Sequence, residues 1–466
     1  MTWTKKQLSI VGIVAVTSFM GTFLISSVSI ALPAIEESFE MSAVALSWIL
    51  TSFLLANAMF LLPAGRFGDL TGIRRMFKVG VVIFSLVSLS CGLVNDGFWL
   101  IFLRFVQGMG AALTSTTGPA ILVSAFSAKN RGKVLGISVS GVYLGLASGP
   151  YLGGMLTQFA GWRSIFFVAS AMGFFTAILA FLFLGKDEVS TSQNKKVDLK
   201  GTAFYMVGLV ALVAGSALIP GWIGWALLLA GSLFLIVFWN LESRSAFPVL
   251  NTRLFTQNKL FSFSNLASLI NYSATFAIVF LLSLYLQKIL KLSPKEAGTI
   301  LVAQPVMMTL FSPLAGRLSD RIQPRYLTTL GMTMCSIGLL SFVFLTAQTP
   351  VWLIVTELLW LGLGFALFSS PNMNTIMSAV NRTQYGIASG TAATGRVLGQ
   401  IVSMTIVALF LAGILGSEAI DVTHVDDFMK VVKYGFITFT VISLAGIYFS
   451  YHRGEMQRTE SVNRAI

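Results

Sequence analysis

Charged side chains are scarce in this chain. Asp, Glu, Lys and Arg together make up 11% of its 466 residues, whereas a soluble protein of this size carries about a quarter. Apolar stretches of about 20 residues recur along nearly the whole length, and each is long enough to cross a bilayer. The scarcity of charge therefore excludes an ordinary soluble domain and predicts an all-α, polytopic membrane protein with almost no part outside the membrane.

Three further absences exclude other classes of protein. The chain has no Gly-Lys-Ser/Thr phosphate loop, so we do not expect ATP to drive it directly, and no enzymatic motif is present. Its cysteines, Cys91 and Cys335, fall within apolar spans, and its histidines, His424 and His452, fall at opposite predicted membrane faces. We therefore expect no disulfide, no metal site and no cofactor.

Basic residues outnumber acidic ones and give a net charge of +13. They are scattered through short loops rather than gathered in one patch, so the charge does not indicate a nucleic-acid surface. Most of them fall in loops on the side that also holds both termini, which is the bias expected of the cytoplasmic side. We therefore predict an inner-membrane protein with cytoplasmic N- and C-termini.

The apolar stretches predict fourteen transmembrane helices, divided between a first bundle (1–184), a linker with two helices (185–259) and a second bundle with a short tail (260–466). The predicted helices are 8–32, 42–64, 76–94, 98–125, 133–158 and 162–184, then 201–219 and 221–240, then 260–288, 294–315, 325–346, 350–375, 384–415 and 430–452.

Two charged, glycine-containing turns occupy equivalent places in the two bundles. Residues 65–77 read GRFGDLTGIRRMF, and residues 316–325 read GRLSDRIQPR. Because charge is costly in lipid, both turns are expected at a membrane surface. Further matches, such as Trp99 with Trp352, extend the repeat. It predicts two six-helix bundles with pseudo-twofold symmetry plus two additional central helices, a transporter plan in which substrate binds near the midplane.

Three motifs carry a resemblance to a known family. They are the turn at 65–77, the segment LRFVQGMGAA at 103–112, and the segment GLASGPYLGG at 145–154. Together they resemble the signature loop, the arginine motif and the antiporter motif of the major facilitator superfamily. With fourteen helices, the chain is most similar to its fourteen-helix drug:proton antiporter family. The resemblance implies a secondary transporter that exports amphipathic small molecules.

The two turns are expected to act as a conformational latch, with contacts made in one state and broken in the other. The alternative is a basic loop that only sets the topology. The latch residues are Gly65, Arg66, Asp69, Arg74, Gly316, Arg317, Asp320 and Arg325.

The antiporter motif forms a stripe of small residues. Gly141, Gly145, Gly149 and Gly153 are four residues apart, and Pro150 removes one backbone hydrogen bond. We expect this stripe to lie between the two halves and to limit leak. The alternative is ordinary close packing between helices.

Three charged residues fall inside predicted spans. Glu357 is interpreted as a proton-carrying group, because a carboxylate in a dehydrated cavity can exchange protons. Arg396 is its expected neighbour, and Arg104 occupies the position equivalent to Glu357 in the first half. A permanent Glu357–Arg396 ion pair is the alternative.

The first helix departs from the family pattern. Many members of the family carry an Asp about nine residues before the Ala-Leu-Pro end, and Leu24 occupies that place here. Glu36 and Glu37 follow Pro33 and are expected to be solvated at the outer mouth. The resemblance therefore supplies no first-helix site for a proton or a cationic drug.

Polar residues within otherwise apolar helices are candidates for a substrate cavity. The expected partners are an amphipathic small molecule, protons and membrane lipids, without nucleic acid, and the protein is expected to be a monomer. Alternatives are an exporter of an endogenous lipid, siderophore or metabolite, an uptake symporter, and a non-transporting membrane sensor. The cavity candidates are Asn57, Gln107, Tyr143, Asn271, Tyr272, Gln304, Asn372, Asn374 and Gln400.

Overall fold

The structure is a computed structural model, and throughout its described residues the regular secondary structure is helical. It describes residues 3–126, 131–185, 199–219, 221–245, 250, 252–319, 321–380, 385–416 and 425–456.

Six long helices form the first part of the chain, and a helical pair follows. The helices are α1 (Lys5–Phe39), α2 (Ala43–Thr71), α3 (Ile73–Leu93), α4 (Gly97–Ala125), α5 (Arg131–Ala160), α6 (Arg163–Phe183), α7 (Leu199–Ala217) and α8 (Trp222–Arg244).

A short helix leads into the last part, in which two of the expected spans are each divided. The helices are α9 (Thr252–Gln257), α10 (Lys259–Thr275), α11 (Ile278–Leu284) with a π-helical turn (Tyr285–Ile289), α12 (Pro294–Leu301), α13 (Ala303–Ser319), α14 (Pro324–Phe342), α15 (Val351–Ser378), α16 (Tyr385–Ile414) and α17 (Val425–His452).

Twelve segments of the described chain are long and apolar enough to cross a membrane. α10, α11 and the π-helical turn together make one of them, and α12 with α13 makes another. α5 and α14 have 30 and 19 residues but are not among the twelve. Their sequences are rich in Gly, Ser and Thr, which lowers their mean hydropathy.

The helices of the last part repeat the packing order of the first. α1 packs against α5 and α6, and α3 packs against α4 and α6. In the same way, α10 packs against α16 and α17, and α14 packs against α15 and α17. The pair α2–α4 has its counterpart in α13–α15.

The intervening pair, α7 and α8, packs on the outside of the helical assembly. α7 contacts α2 and α16, and the Tyr205 hydroxyl donates a hydrogen bond to the Ala58 carbonyl at 3.0 Å. α8 presents large apolar side chains outward, among them Trp222 at 78% exposure and Leu229 at 73%. A continuous apolar surface of this kind suits contact with lipid.

The helices run in both directions between two faces of the molecule. α1 and α5 run parallel, since Gly141 approaches Ala15 and Gly153 approaches Ser27. We call the face at which α1 and α5 begin the terminal face, and the face at which they end the far face. α2 and α13 end at the terminal face, so both charged turns of the sequence repeat lie there.

Two of the predicted helices continue seven residues past their predicted ends. α1 continues through Pro33 to Phe39, because a proline removes only one backbone bond and lipid offers the backbone no alternative partner. α2 continues through most of the charged turn to Thr71. The turn itself is Gly72, whose φ of 104° is a left-handed conformation suited to glycine.

Two of the predicted helices contain a break that the sequence did not predict. The predicted 260–288 helix is interrupted after Thr275, where the Ala277 amide donates to the Ser403 hydroxyl at 3.0 Å instead of continuing the helix. The predicted 294–315 helix is interrupted at Val302, since Pro305 has no amide hydrogen to bond the carbonyl four residues earlier.

Candidate functional site

The first six helices and the last part approach each other closely at the far face. There α5 packs against α12, and the backbones come so close that a methyl group at Gly298 would overlap the Pro150 carbonyl oxygen. A methyl group at Gly154 would likewise overlap the Pro294 carbonyl. Only glycine fits at these two positions, and the far face is closed between the two parts.

The glycine stripe of α5 makes a different contact from the one expected. Gly141, Gly145, Gly149 and Gly153 pack against α1, within the first six helices. The Ser27 hydroxyl donates to the Gly149 carbonyl at 3.0 Å across this contact. The expectation that the stripe lies between the halves was therefore wrong for its four glycines, whereas Pro150 of the same motif does contact α12.

An ion pair also closes the far face. The Lys288 ammonium lies 3.1 Å from the Glu36 carboxylate, and Glu36 is only 3% exposed. Beside it, the Gln287 side-chain amide donates to the Ile30 carbonyl at 2.9 Å. Glu36 was expected to be solvated; because α1 runs on past Pro33, its carboxylate is instead buried between the two parts.

The π-helical turn places this pair. Lys288 lies in Tyr285–Ile289, where the wider helical turn changes the direction of the side chains relative to α11. Turns of this type are frequent at functional sites. Sequence reasoning had no signal for it, since the segment is continuous with an apolar helix.

Midway between the faces, four polar side chains form what we call the mid-depth cluster: Tyr143, Tyr272, Ser369 and Arg396. The Tyr143 and Ser369 hydroxyls are 3.0 Å apart and join α5 to α15. Arg396 on α16 interacts with the Tyr272 hydroxyl on α10. Both parts of the molecule therefore contribute to the cluster, and all four side chains are partly buried.

Helix geometry places the four residues at one level. At 1.5 Å per residue, they lie roughly 14 to 20 Å from the terminal-face ends of their helices. That depth is close to the middle of a hydrocarbon core of about 30 Å.

Glu357 lies elsewhere. It is six residues from the start of α15, or about 9 Å from the far end, whereas Arg396 is about 27 Å from the far end of α16. Glu357 is half-buried and lines a shallow cavity of about 220 Å³ between α14 and α15, with Phe342 and Leu353 among its neighbours. The two side chains do not meet, so the expected neighbour relation and the alternative ion pair are both wrong.

Arg104 is fully buried within the first six helices. Its guanidinium donates to the Ile49 carbonyl at 3.1 Å and to the Gln107 side chain, and it lies over the Phe53 ring at 4.4 Å. Gln107 in turn donates to the Ser88 hydroxyl at 2.6 Å. Arg104 and Gln107 therefore join α2, α3 and α4, and Gln107 does not line a cavity.

The other cavity candidates are dispersed. Asn271 is fully buried, and Asn57 and Gln304 are largely buried. Asn374 bonds the Ser319 hydroxyl at 3.1 Å, and Gln400 is partly exposed. Of the nine candidates, only Tyr143 and Tyr272 belong to the mid-depth cluster.

Asn372 takes part in a buried network that sequence reasoning missed. Its side-chain oxygen accepts a 2.7 Å hydrogen bond from Arg453, which is 1% exposed. Arg453 also donates to the hydroxyls of Ser264, Thr328 and Ser450, and so ties together α10, α14, α15 and α17. Arg453 follows the last helix, where no pattern distinguishes it from a charged tail residue.

The expected latch is described only in part. The side chains of Arg66 and Asp69, and all of Asp320, lie outside the described residues. Gly65 lies against Thr116 and Gly316 against Ser370, while Arg317 is exposed. Arg74 lies near Gly185, and Arg325 forms an ion pair with Glu455 at 3.0 Å.

Among the residues that the structure describes, no group of His, Cys, Asp and Glu side chains is arranged to hold a metal ion.

Comparison with known sequences gives a consistent set of matches. The chain matches the sequence profile of the Major Facilitator Superfamily over residues 12–404 and 264–464. It is 31% identical over 399 residues to the riboflavin transporter RibZ of Clostridioides difficile, covering 84% of this chain and 86% of that protein. It is 32% identical over 399 residues to the multidrug resistance protein Stp of Mycobacterium tuberculosis H37Rv, covering 84% and 73%. The tetracenomycin C resistance and export protein of Streptomyces glaucescens is 28% identical over 395 residues, covering 84% and 73%.

Solved structures share the fold. A bacterial homologue of the human lysosomal transporter Spinster, in an inward-facing and unoccupied conformation, superposes with a TM-score of 0.70 at 15% identity, over 97% of this chain and 98% of that one. A D-xylose–proton symporter superposes with a TM-score of 0.68 at 13% identity, over 96% and 98%.

Proposed function

Because this chain belongs to the Major Facilitator Superfamily, we propose that it is a secondary active transporter that exports amphipathic small molecules in exchange for protons. The observation that carries the proposal is the arrangement of its two parts. They are closed against each other at the far face, and both contribute side chains to one polar cluster at mid-depth. The multidrug resistance and export proteins among its relatives support the direction of transport.

The architecture we propose has fourteen transmembrane helices. α5 and α14 would join the twelve apolar segments, giving two six-helix bundles (1–184 and 260–466) related by a pseudo-twofold axis, with α7 and α8 between them in 185–259. The repeated packing order of the helices supports this arrangement. It would place the chain in the fourteen-helix drug:proton antiporter family, as a monomer in the inner membrane with cytoplasmic termini.

Alternating access then requires the far face to open. Opening separates α5 from α12 and breaks the Glu36–Lys288 pair. Both contacts join the two bundles, so a rocking motion of one bundle against the other would release them together. The charged turns at the terminal face would act as the opposing latch and hold the far-open state.

Two carboxylates are candidates for the coupled proton. We assign the role to Glu357, which lies about 9 Å from the far end of α15 in a mostly apolar cavity. Glu357 and Ser369 lie on the same helix, α15. Protonation of Glu357 can therefore shift the helix that carries one residue of the mid-depth cluster. Glu36 is the other candidate, and its ion pair with Lys288 gives it a separate role in closure.

Flux measurements in proteoliposomes with an imposed pH gradient test this assignment. The substrates are a panel of amphipathic fluorescent probes that includes riboflavin. Glu357→Gln is expected to remove the dependence of flux on the gradient, whereas Glu36→Gln is expected to slow flux but keep that dependence. Loss of the dependence only in the Glu36 variant would move the proton site there. Coupling retained in both variants would reject exchange by either carboxylate.

Export of an endogenous metabolite is the second candidate function. The observation that favours it is the 31% identity to a riboflavin transporter. Metabolite profiling of a deletion strain, compared with growth on a panel of toxic compounds, separates the two functions. Specific binding of a probe without any flux would instead favour a non-transporting membrane sensor.

A further inference from the structure

Arg396 is a positive charge at mid-depth that none of the described carboxylates balances. Among the described residues, its polar neighbour is the neutral hydroxyl of Tyr272, and no ion pair includes it. A charged side chain at this depth is costly unless it faces a polar site and finds a partner. The unbalanced charge of Arg396 therefore needs a physical explanation.

The described carboxylates are too far away to serve. Glu36 is bound to Lys288 at the far face, and Glu357 lies about 15 to 18 Å from the level of Arg396 along the helix axes. The interior of α1 carries no acidic side chain, and Leu24 near its middle is fully buried. The other described carboxylates lie at helix ends or in the connections between helices.

The groups around Arg396 can donate hydrogen bonds, and the three hydroxyls among them also bond to one another. A guanidinium presents several N–H groups in a plane, and Tyr272, Tyr143 and Ser369 each add a hydroxyl. A guanidinium beside hydroxyls that can donate matches the oxygens of a carboxylate or a similar anion, and hydrogen bonds between charged partners are the stronger ones. The Phe365 ring packs against the edge of Tyr272, with ring centroids 5.4 Å apart, and gives the site an apolar wall.

We propose that the mid-depth cluster binds the anionic group of an amphipathic organic acid, with Arg396 as its counter-ion. This inference rests on the proposed function and names the substrate class of that site. The bound anion supplies the charge that Arg396 lacks, while the apolar body of the molecule contacts the aromatic wall. Because Tyr143 belongs to the first six helices and Arg396 to the last, one ligand contacts both moving parts. Cationic compounds are disfavoured at this site by like-charge repulsion.

Binding of three matched probes to the full-length protein in nanodiscs tests the inference. The probes are 1-naphthaleneacetate, its neutral amide, and the cationic 1-naphthylmethylammonium ion, each followed by its fluorescence. The wild-type protein is expected to bind the anion at least tenfold more tightly than the amide, and the cation most weakly. Arg396→Gln is expected to bring the affinities of anion and amide to within about twofold of each other.

Two further variants make the result specific. Lys433→Gln removes one positive charge from an exposed position on α17 and is expected to leave the preference unchanged. Tyr272→Phe keeps the charge, removes one hydroxyl donor and is expected to weaken the preference by a few fold. If Arg396→Gln does not fold, Arg396→Lys is used and should retain only part of the preference.

The outcomes separate this inference from the proposed function. A wild-type protein without preference for the anion, or a preference that survives in Arg396→Gln, would overturn the inference even if neutral probes are transported. An anion preference that depends on Arg396 would support the inference. If no probe were transported in that case, the proposed transport function would be rejected while the inference about binding would stand.

Discussion

A Gly298→Val variant is expected to remain folded and to lose most of its transport activity. In the far-closed state, any side chain at position 298 collides with the Pro150 carbonyl on α5. Overpacking of this kind costs about 1–3 kcal/mol, and about 1.4 kcal/mol changes an equilibrium tenfold. Because α5 and α12 belong to different bundles in the proposed architecture, the collision disfavours closure rather than folding. Initial flux in proteoliposomes should fall by about tenfold or more.

The matched control is Gly413→Val on α16. Gly413 has open space where a side chain would extend, so the same substitution meets no neighbour there. It should transport at nearly the wild-type rate, and both variants should show wild-type helical content by circular dichroism. Normal flux in a folded Gly298→Val protein would show that close approach at this contact is not needed for the transport cycle.

Reversing one charge of the far-face ion pair is expected to abolish transport, and reversing both is expected to restore most of it. Glu36→Lys places two ammonium groups together at a site where Glu36 is 3% exposed. Removing one partner of a buried pair costs about 3–5 kcal/mol, because the remaining charge is left unpaired. The partial exposure of Lys288, at 25%, places the expected cost at the lower end of that range.

A double-mutant cycle separates the pair from its two members. Glu36→Lys and Lys288→Glu should each reduce flux more than tenfold, and the double variant should recover to within a few fold of wild type. Lys430→Glu is the control for surface charge, since Lys430 is 58% exposed and pairs within its own helix with Asp427. Additive losses in the double variant would mean that the contact between Glu36 and Lys288 is not what the cycle requires.

The presence of the helices could be predicted because length and apolar content alone decide whether a segment can cross a bilayer. Their interruptions could not. Pro33 and Pro305 are the same residue type within apolar stretches, yet α1 continues through one while the helix breaks before the other. The break after Thr275 depends on the Ser403 hydroxyl of α16, which accepts a hydrogen bond from an amide 126 residues earlier in the chain. These outcomes are decided by packing between helices, which a single sequence does not encode in any local pattern.

The same distinction applies to the candidate site. The positions of Glu357 near the far-face end of α15 and of Arg396 near the middle of α16 already separate them in depth, and this separation prevents their contact. Small residues at four-residue spacing predicted a close helix contact but not that α1 is the partner. The sequence predicts a solvated Glu36, because its partner, Lys288, is 252 positions away in the chain. The sequence therefore did not indicate which side chains of the first six helices contact which side chains of the last part.

Alternating access between two bundles has a direct consequence, which is that the two faces move in opposite senses. Spin labels at Trp99 and Trp352 report on the far face, because both residues are exposed at the starts of α4 and α15. Labels at Ser124 and Ser378, exposed near the ends of the same helices, report on the terminal face. Each pair spans the two bundles.

The measurement is pulsed electron paramagnetic resonance of both pairs in nanodiscs, in a background where the buried Cys91 and Cys335 are replaced by alanine. Samples are compared with and without a transported probe at two pH values. With alternating access, we expect a second population in which the far-face distance lengthens while the terminal-face distance shortens. In Gly298→Val, we expect the far-closed population to be lost. Two distances that stay fixed under all conditions, or lengthen together, would contradict alternating access.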